Sequence, residues 1–253
     1  MPDFGLPDEI FRFFLVLARM GAIFAIAPAL GEAQISPRVR AALALAVSLL
    51  LLPVLRDHLP ALPADLGGLV WLILHESLVG LMLAGAARLV LSALHVAGTV
   101  IAFQGGLAFT QQFDPTQGTQ SAITASFMTF LGIVLIFASD LHHLLISAIF
   151  GSYDLLPVTG VLPMGDFAQL VVRLVAISFT LGIKMAAPFL VFGIIFNLGM
   201  GLLARVMPAL PVFFVALPAN ILLSFMLLLI VLPAMMLLFA DAFEESLRML
   251  LGQ

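Results

Sequence analysis

Long apolar segments dominate this sequence and constrain its fold more than any other feature. Several reach or exceed the roughly 20 residues that a helix, rising about 1.5 Å per residue, needs to cross the hydrocarbon core of a membrane. Hydrophobic residues make up 63% of the 253 residues and charged residues only 9%. In soluble domains roughly half of the residues are apolar and roughly a quarter are charged. The sequence therefore predicts an all-α membrane protein.

The apolar segments alternate with short polar connections. The connection at 31–37 predicts a helical hairpin, and proline-bearing connections are predicted at 56–65 and 151–165. No stretch of altered composition divides the chain, so we expect a single domain over 1–253. The segment that ends near 103 is too long for one simple span. The predicted helical segments cover about 6–30, 38–55, 66–103, 122–150, 167–206 and 217–251.

Four prolines lie within or beside apolar segments: Pro28, Pro188, Pro218 and Pro233. Each removes a backbone donor and frees a carbonyl that lipid cannot satisfy. We therefore expect kinked or broken helices that pack against other protein, rather than independent spans surrounded by lipid.

Charged side chains also lie inside the apolar segments: Arg12, Arg19, Glu76, Arg88 and Lys184. At the bilayer centre such a group costs about 2.5–3.5 kcal/mol, so each should pair, reach the interface or face a wet cavity. Asp8 and Glu9 can reach Arg12 at helical spacing, but Arg19 has no acidic residue three or four positions away. Its partner is expected elsewhere in the chain or in another subunit.

Two groups of titratable residues allow both a functional and a structural interpretation. Glu76, its neighbour His75 and Lys184 can be arranged as a proton pathway, but we favour buried pairing within the chain or between subunits.

The second group, Asp140, His142 and His143, suggests a metal or acid–base site. Adjacent histidines on a helix point about 100° apart, and no His-x-x-x-His or Glu-x-x-His pattern supplies a second ligand on the same face. We therefore expect a polar helix end here and no metal.

The stretch at about 104–121 is polar but almost uncharged. Its glutamines and threonines offer hydrogen bonds without a fixed charge, its phenylalanines offer bulk, and its glycines offer backbone freedom. Such a segment can obstruct a pore and still yield to a polypeptide of either charge. An ordinary surface loop between two helices has a similar composition.

Composition excludes several other classes of function. The net charge of −4 and the lack of a basic, aromatic-rich patch argue against nucleic-acid binding. The sequence contains no cysteine, and it shows no nucleophile elbow, zinc signature or phosphate-binding loop. We therefore expect no catalytic residue and no cofactor.

Several short motifs, in this order, resemble the FliR family of export-gate subunits of flagella and type III secretion systems. The motifs are FAIAP at 24–28, ISPRVR at 35–40, FDP at 113–115, DLHH at 140–143, KMAAP at 184–188 and LARV at 203–206. The resemblance covers nearly the whole chain. It implies kinked helical hairpins that pack into a larger helical gate in the bacterial inner membrane, as part of the export apparatus of the flagellar basal body.

The resemblance also implies partners and site residues. The expected partners are FliP-like, FliQ-like and FlhB-like subunits, membrane lipid and unfolded export substrates. The 104–121 stretch would be the plug of the channel, with the role carried by Gly105, Gly106, Phe109, Gln111, Gln112, Phe113, Asp114, Pro115 and Gly118. Intersubunit or buried polar contacts are expected of Arg19, Arg38, Arg40, Glu76, Arg88, Lys184, Asn197 and Arg205.

Two alternatives to a gate subunit come from other classes of protein. A secondary transporter would bind a small solute between broken helices through Glu76, Arg88 and Lys184. An intramembrane enzyme would need a nucleophile and a base at a suitable spacing, and the sequence shows none.

Overall fold

The computed structural model describes residues 5–32, 35–106, 123–208 and 212–250. These residues form seven α-helices and one 3₁₀ turn at Arg56–His58, and none of them lies in a strand. The all-α prediction is confirmed. The helices are α1 Leu6–Ile26, α2 Pro37–Leu55, α3 Leu66–Gln104, α4 Ile123–Ala138, α5 Leu141–Leu155, α6 Met164–Val206 and α7 Val212–Leu250.

Four helical segments in the described part of the chain are long and apolar enough to cross a membrane: Pro37–His58, Leu66–Gln104, Met164–Val206 and Ala216–Leu250. The pair α4 and α5 can supply a fifth, broken span. Helix α1 is not among them, because Asp8, Glu9, Arg12 and Arg19 interrupt its apolar sequence. These lengths and compositions fit an integral membrane protein.

The predicted hairpin at the start of the chain is confirmed, since α1 packs against α2. The acidic first turn of α1 stabilises that end of the helix dipole. The helix ends before Pro28, where a proline disfavours helical backbone in the preceding residue. At the start of α2 the Ser36 hydroxyl accepts a hydrogen bond from the Val39 amide, and Pro37 occupies the first turn.

The prediction of one continuous helix over 122–150 is wrong. The chain bends by 78° between α4 and α5, where Asp140 adopts a left-handed conformation with φ of 59°. Aspartate tolerates this region better than most residues do, and neither proline nor glycine marks the site in the sequence. The predicted loop also begins too early, because α5 continues to Leu155.

Three of the four prolines lie inside continuous helices, in the segments predicted over 167–206 and 217–251. Pro188 lies inside α6, and Pro218 and Pro233 lie inside α7, and both helices continue through them. Of the four, only Pro28 falls where a helix ends. A helix can continue through a proline when other contacts compensate for the missing hydrogen bond.

The chain forms two compact units. The first comprises Met1–Leu89, Asp140–Leu174 and Glu244–Gln253, and its core is built around Phe11, Leu15, Met20 and Tyr153. The second comprises Val90–Ser139 and Val175–Phe243, and Leu94, Met128, Phe189 and Phe239 are buried in it. Helices α3, α6 and α7 contribute to both units. The expectation of a single domain stays a prediction.

Candidate functional site

The most extensive polar cluster among the described residues of the first unit is centred on Arg19, whose side chain is fully buried. Its Nε and Nη2 atoms donate to the two carboxylate oxygens of Glu76, each at 2.7 Å. Nη1 donates to the Ser152 hydroxyl at 3.0 Å and Nη2 to the Leu156 carbonyl at 3.0 Å. The guanidinium carbon lies 3.8 Å from the centre of the Tyr153 ring. Nearly every donor of this buried cation is therefore satisfied.

A glycine brings the two charges together. A Cβ atom at Gly80 would lie 2.5 Å from the Arg19 carbonyl oxygen and 2.9 Å from the Ala22 Cβ. Helix α3 thus approaches the backbone of α1 more closely than any larger residue would permit. Glu76 lies one turn before Gly80 on the same face of α3. The close approach consequently places its carboxylate beside Arg19.

The same cation stabilises the carboxyl end of α5. Leu156, whose carbonyl accepts from Arg19, directly follows the last residue of that helix. A positive charge at this position interacts favourably with the helix dipole and satisfies a carbonyl that has no partner within the helix. Arg19 therefore joins α1, α3 and α5, which are distant in sequence.

Two buried polar atoms of this cluster have no hydrogen-bond partner among the described residues: the Tyr153 hydroxyl and the Nδ1 atom of His75. The His75 nitrogen lies 3.4 Å from a Glu76 oxygen. Both oxygens of Glu76 bond to Arg19, so a buried cation already balances the charge of this carboxylate. The arrangement suits a structural lock.

The other residues expected to make buried or intersubunit polar contacts divide into two groups. Arg40 donates to the carbonyls of Glu32 and Ile35 in the α1–α2 connection. Arg88 donates to the Ile26 carbonyl at 3.0 Å and lies 3.5 Å from a Glu32 oxygen. The remaining four are exposed: Arg38, Lys184, Asn197 and Arg205.

A smaller ionic group lies at the start of α1. Arg12 pairs with Glu9 at 3.2 Å, as helical spacing predicts. The same Glu9 oxygen accepts from Arg56 at 2.6 Å, and Asp8 accepts from the Leu62 amide at 2.9 Å. The last two contacts connect α1 to the turn after α2, and the sequence gives no signal for them.

The polar stretch that was predicted to be a plug lies mostly outside the described residues. Of its site residues the structure describes Gly105 and Gly106, which follow the end of α3 in the second unit. Gly106 has a φ of 73°, a conformation that glycine adopts readily. Outside the described residues lie Phe109, Gln111, Gln112, Phe113, Asp114, Pro115 and Gly118.

The Asp140, His142 and His143 side chains lie closer together than helical spacing predicts. The two imidazole rings are 4.1 Å apart at their centres, and one potential ligand atom from each residue lies within 4.8 Å of the others. The group lies at the start of α5, where the helix dipole disfavours a cation. The expected polar helix end is observed, and the absence of a metal stays a prediction.

Comparison of the sequence with known proteins identifies the family of this chain. The sequence profile of the family described as "Bacterial export proteins, family 1" matches residues 10–246. A curated relative from Caulobacter vibrioides, described as "Flagellar biosynthetic protein FliR", is 39% identical over 98% of each chain. Proteins of the same description from Bacillus subtilis, at 29% identity over 95% of this chain and 94% of the relative, and from Escherichia coli, at 28% over 87% and 84%, are also similar. This chain belongs to family 1 of the bacterial export proteins.

Proposed function

We propose that this chain is a non-enzymatic subunit of the flagellar protein-export gate in the bacterial inner membrane. The match to the export family across 10–246 carries the proposal. The relatives described above are all named as flagellar biosynthetic proteins, which favours the flagellar form of the apparatus. Together with FliP-like, FliQ-like and FlhB-like subunits, it would form a path for unfolded export substrates.

The exposed apolar surface supports a role in the wall of a larger assembly. In the apolar stretch of each of the segments Pro37–His58, Met164–Val206 and Ala216–Leu250, only 17% of the residues are buried. The corresponding share in α3 is 56%. Such surfaces need lipid or neighbouring subunits to cover them. Prolines within α6 and α7 favour protein neighbours, since these can satisfy the freed carbonyls.

Assembly with partner subunits is the first test of this proposal. The chain should restore motility to a strain that lacks its own subunit, and it should co-purify with FliP-like and FliQ-like proteins when the operon is expressed. Solute uptake by the chain reconstituted alone in vesicles, with no association with those partners, would contradict the proposal and favour a transporter.

The polar stretch after α3 is proposed to be the plug that seals the channel against ions. Its low charge and its phenylalanines and glutamines support this role. Deletion of 106–118 should let ions leak through the assembled gate without preventing assembly. Because a deletion also shortens the connection, replacement of 107–118 by glycine and serine at constant length is the matched variant. An unchanged ion conductance in both variants would remove the plug assignment.

A further inference from the structure

The carboxyl end of α3 contacts α7 through a side-chain hydrogen bond and through closely packed glycines. The Asn220 side-chain amide donates a hydrogen bond of 3.1 Å to the carbonyl of Gln104, the last residue of α3. The last carbonyls of a helix have no partner within it, so they need one from outside. Here a side chain from another helix supplies that partner at a partly buried site.

Glycines allow the end of α3 to approach its neighbouring helices closely. A Cβ atom at Gly105 would lie 3.1 Å from the Cβ and Oγ atoms of Ser224, and one at Gly106 would lie 3.1 Å from the Asn220 amide nitrogen. On α6, a Cβ at Gly193 would collide with the Gln104 side chain. The end of α3 therefore packs closely against both α6 and α7.

Asn220 and Ser224 lie one helical turn apart and face the same glycine pair, but only one of them bonds to α3. The Asn220 amide group donates to Gln104, whereas the Ser224 hydroxyl has no partner among the described residues and is buried. The two side chains therefore form a natural pair for comparison. Both pack against the glycines at the end of α3, but only Asn220 donates a hydrogen bond to that helix.

We propose that Asn220 is a positioning residue that holds the end of α3 against α7 and so provides a fixed pivot for the segment that follows. This inference rests on the proposed function, in which that segment is the plug. A chain leaves a helix in a direction set by its last residues, and Gly106 with its φ of 73° turns it there. A fixed end limits the range of positions that the following segment can reach.

Disulfide trapping tests the contact directly, because the native sequence contains no cysteine. Introduced together, Gly105→Cys and Ser224→Cys should cross-link rapidly in the assembled gate, since a small shift brings their Cβ atoms to the roughly 3.8 Å of a disulfide. The control pair is Gly105→Cys with Phe225→Cys, because Phe225 is exposed on the next position of α7. Equal cross-linking of both pairs would overturn the proposed contact.

The cross-linked gate also tests whether the pivot stays in place during export. With the disulfide formed, export and ion leakage should both stay close to those of the reduced variant. Export that stops on oxidation and resumes on reduction would show that α3 must detach from α7, which contradicts a fixed pivot.

Alanine substitutions test the role of the hydrogen bond. Asn220→Ala should raise the ion leakage of the resting gate by roughly three- to tenfold, as expected when one buried hydrogen bond is lost. Ser224→Ala removes a hydroxyl without a described partner and should leave leakage unchanged. Equal leakage in the two variants would overturn the positioning role.

The plug replacement at 107–118 separates this inference from the proposed function. If that replacement leaks and Asn220→Ala does not, the plug assignment stands and the positioning role is wrong. If neither leaks, both are wrong. Should Asn220→Ala fail to assemble, the disulfide pair still decides whether α3 is held against α7, because it retains Asn220.

Discussion

The two compact units join their helices by different polar chemistry. In the first unit a fully buried cation, Arg19, pairs with Glu76 next to a glycine contact. In the second unit a neutral side chain, Asn220, caps the end of α3 next to a glycine pair. Arg19 donates four hydrogen bonds, whereas the neutral contact rests on the single bond from Asn220 to Gln104.

This difference separates a strong contact from a weaker one. Breaking a buried ion pair leaves an unpaired charge, which typically destabilises a protein by about 3–5 kcal/mol. Losing a neutral buried hydrogen bond typically costs about 1–3 kcal/mol when one group is left unsatisfied. Breaking the ionic contact of the first unit is therefore expected to destabilise the protein more than breaking the neutral contact of the second.

The largest effect should come from breaking the ionic cluster. Arg19→Met leaves Glu76 buried without its cation, and we expect a loss of about 3–5 kcal/mol in folding stability, measured as a lower thermal unfolding midpoint in detergent. Arg19→Met combined with Glu76→Leu removes both charges and should recover much of that loss. Arg12→Met, seven residues earlier in a partly exposed pair, is the control. A similar loss in Arg12→Met and Arg19→Met would contradict the lock.

The glycine contact that positions Glu76 is the next test. Gly80→Ala places a Cβ atom against the Arg19 carbonyl oxygen, so we expect a destabilisation of about 1–3 kcal/mol. Gly85→Ala, in the same helix, meets no atom within 4 Å and should be neutral or stabilising by up to about 1 kcal/mol. Thermal unfolding of both variants measures the difference, and equal midpoints would show that α3 does not depend on this close approach.

The neutral contact should respond less. Asn220→Ala should lower stability by about 1–3 kcal/mol, because it leaves the Gln104 carbonyl without its partner. Ser224→Ala removes a hydroxyl that has no partner in the described part of the chain and should change stability by less than about 0.5 kcal/mol. Chemical unfolding in detergent compares them. A larger loss in Ser224→Ala than in Asn220→Ala would reverse the proposed roles of the two side chains.

The smallest effect is expected for Tyr153→Phe. The variant keeps the aromatic face over Arg19 and removes a buried hydroxyl that has no described partner, so stability should stay the same or rise slightly. Tyr153→Leu also loses the cation–π contact and should be destabilised by about 1–2 kcal/mol relative to phenylalanine. A larger loss of stability in Tyr153→Phe than in Tyr153→Leu would show that the hydroxyl makes a stabilising contact, which would contradict this prediction.

The fold could be predicted well where one local signal was sufficient. Helix α2 and the start of α3 lie where the apolar pattern and the proline-bearing connection at 56–65 predict them. The bend at Asp140 could not be predicted, because an aspartate in an apolar segment does not by itself indicate a left-handed residue. The segment predicted over 167–206 runs through Pro188, and the structure has a continuous helix there.

The amino-acid sequence by itself determined the class of this protein and the need of its buried charges for partners. Water cannot solvate such apolar helices, and an arginine among them is too unfavourable to remain unpaired, whatever the fold. Only the tertiary structure decided which partners meet. Glu76 lies 57 positions from Arg19, and Asn220 lies 116 positions from Gln104. Their meeting depends on how closely the helices pack at Gly80 and Gly105, which local sequence patterns do not encode.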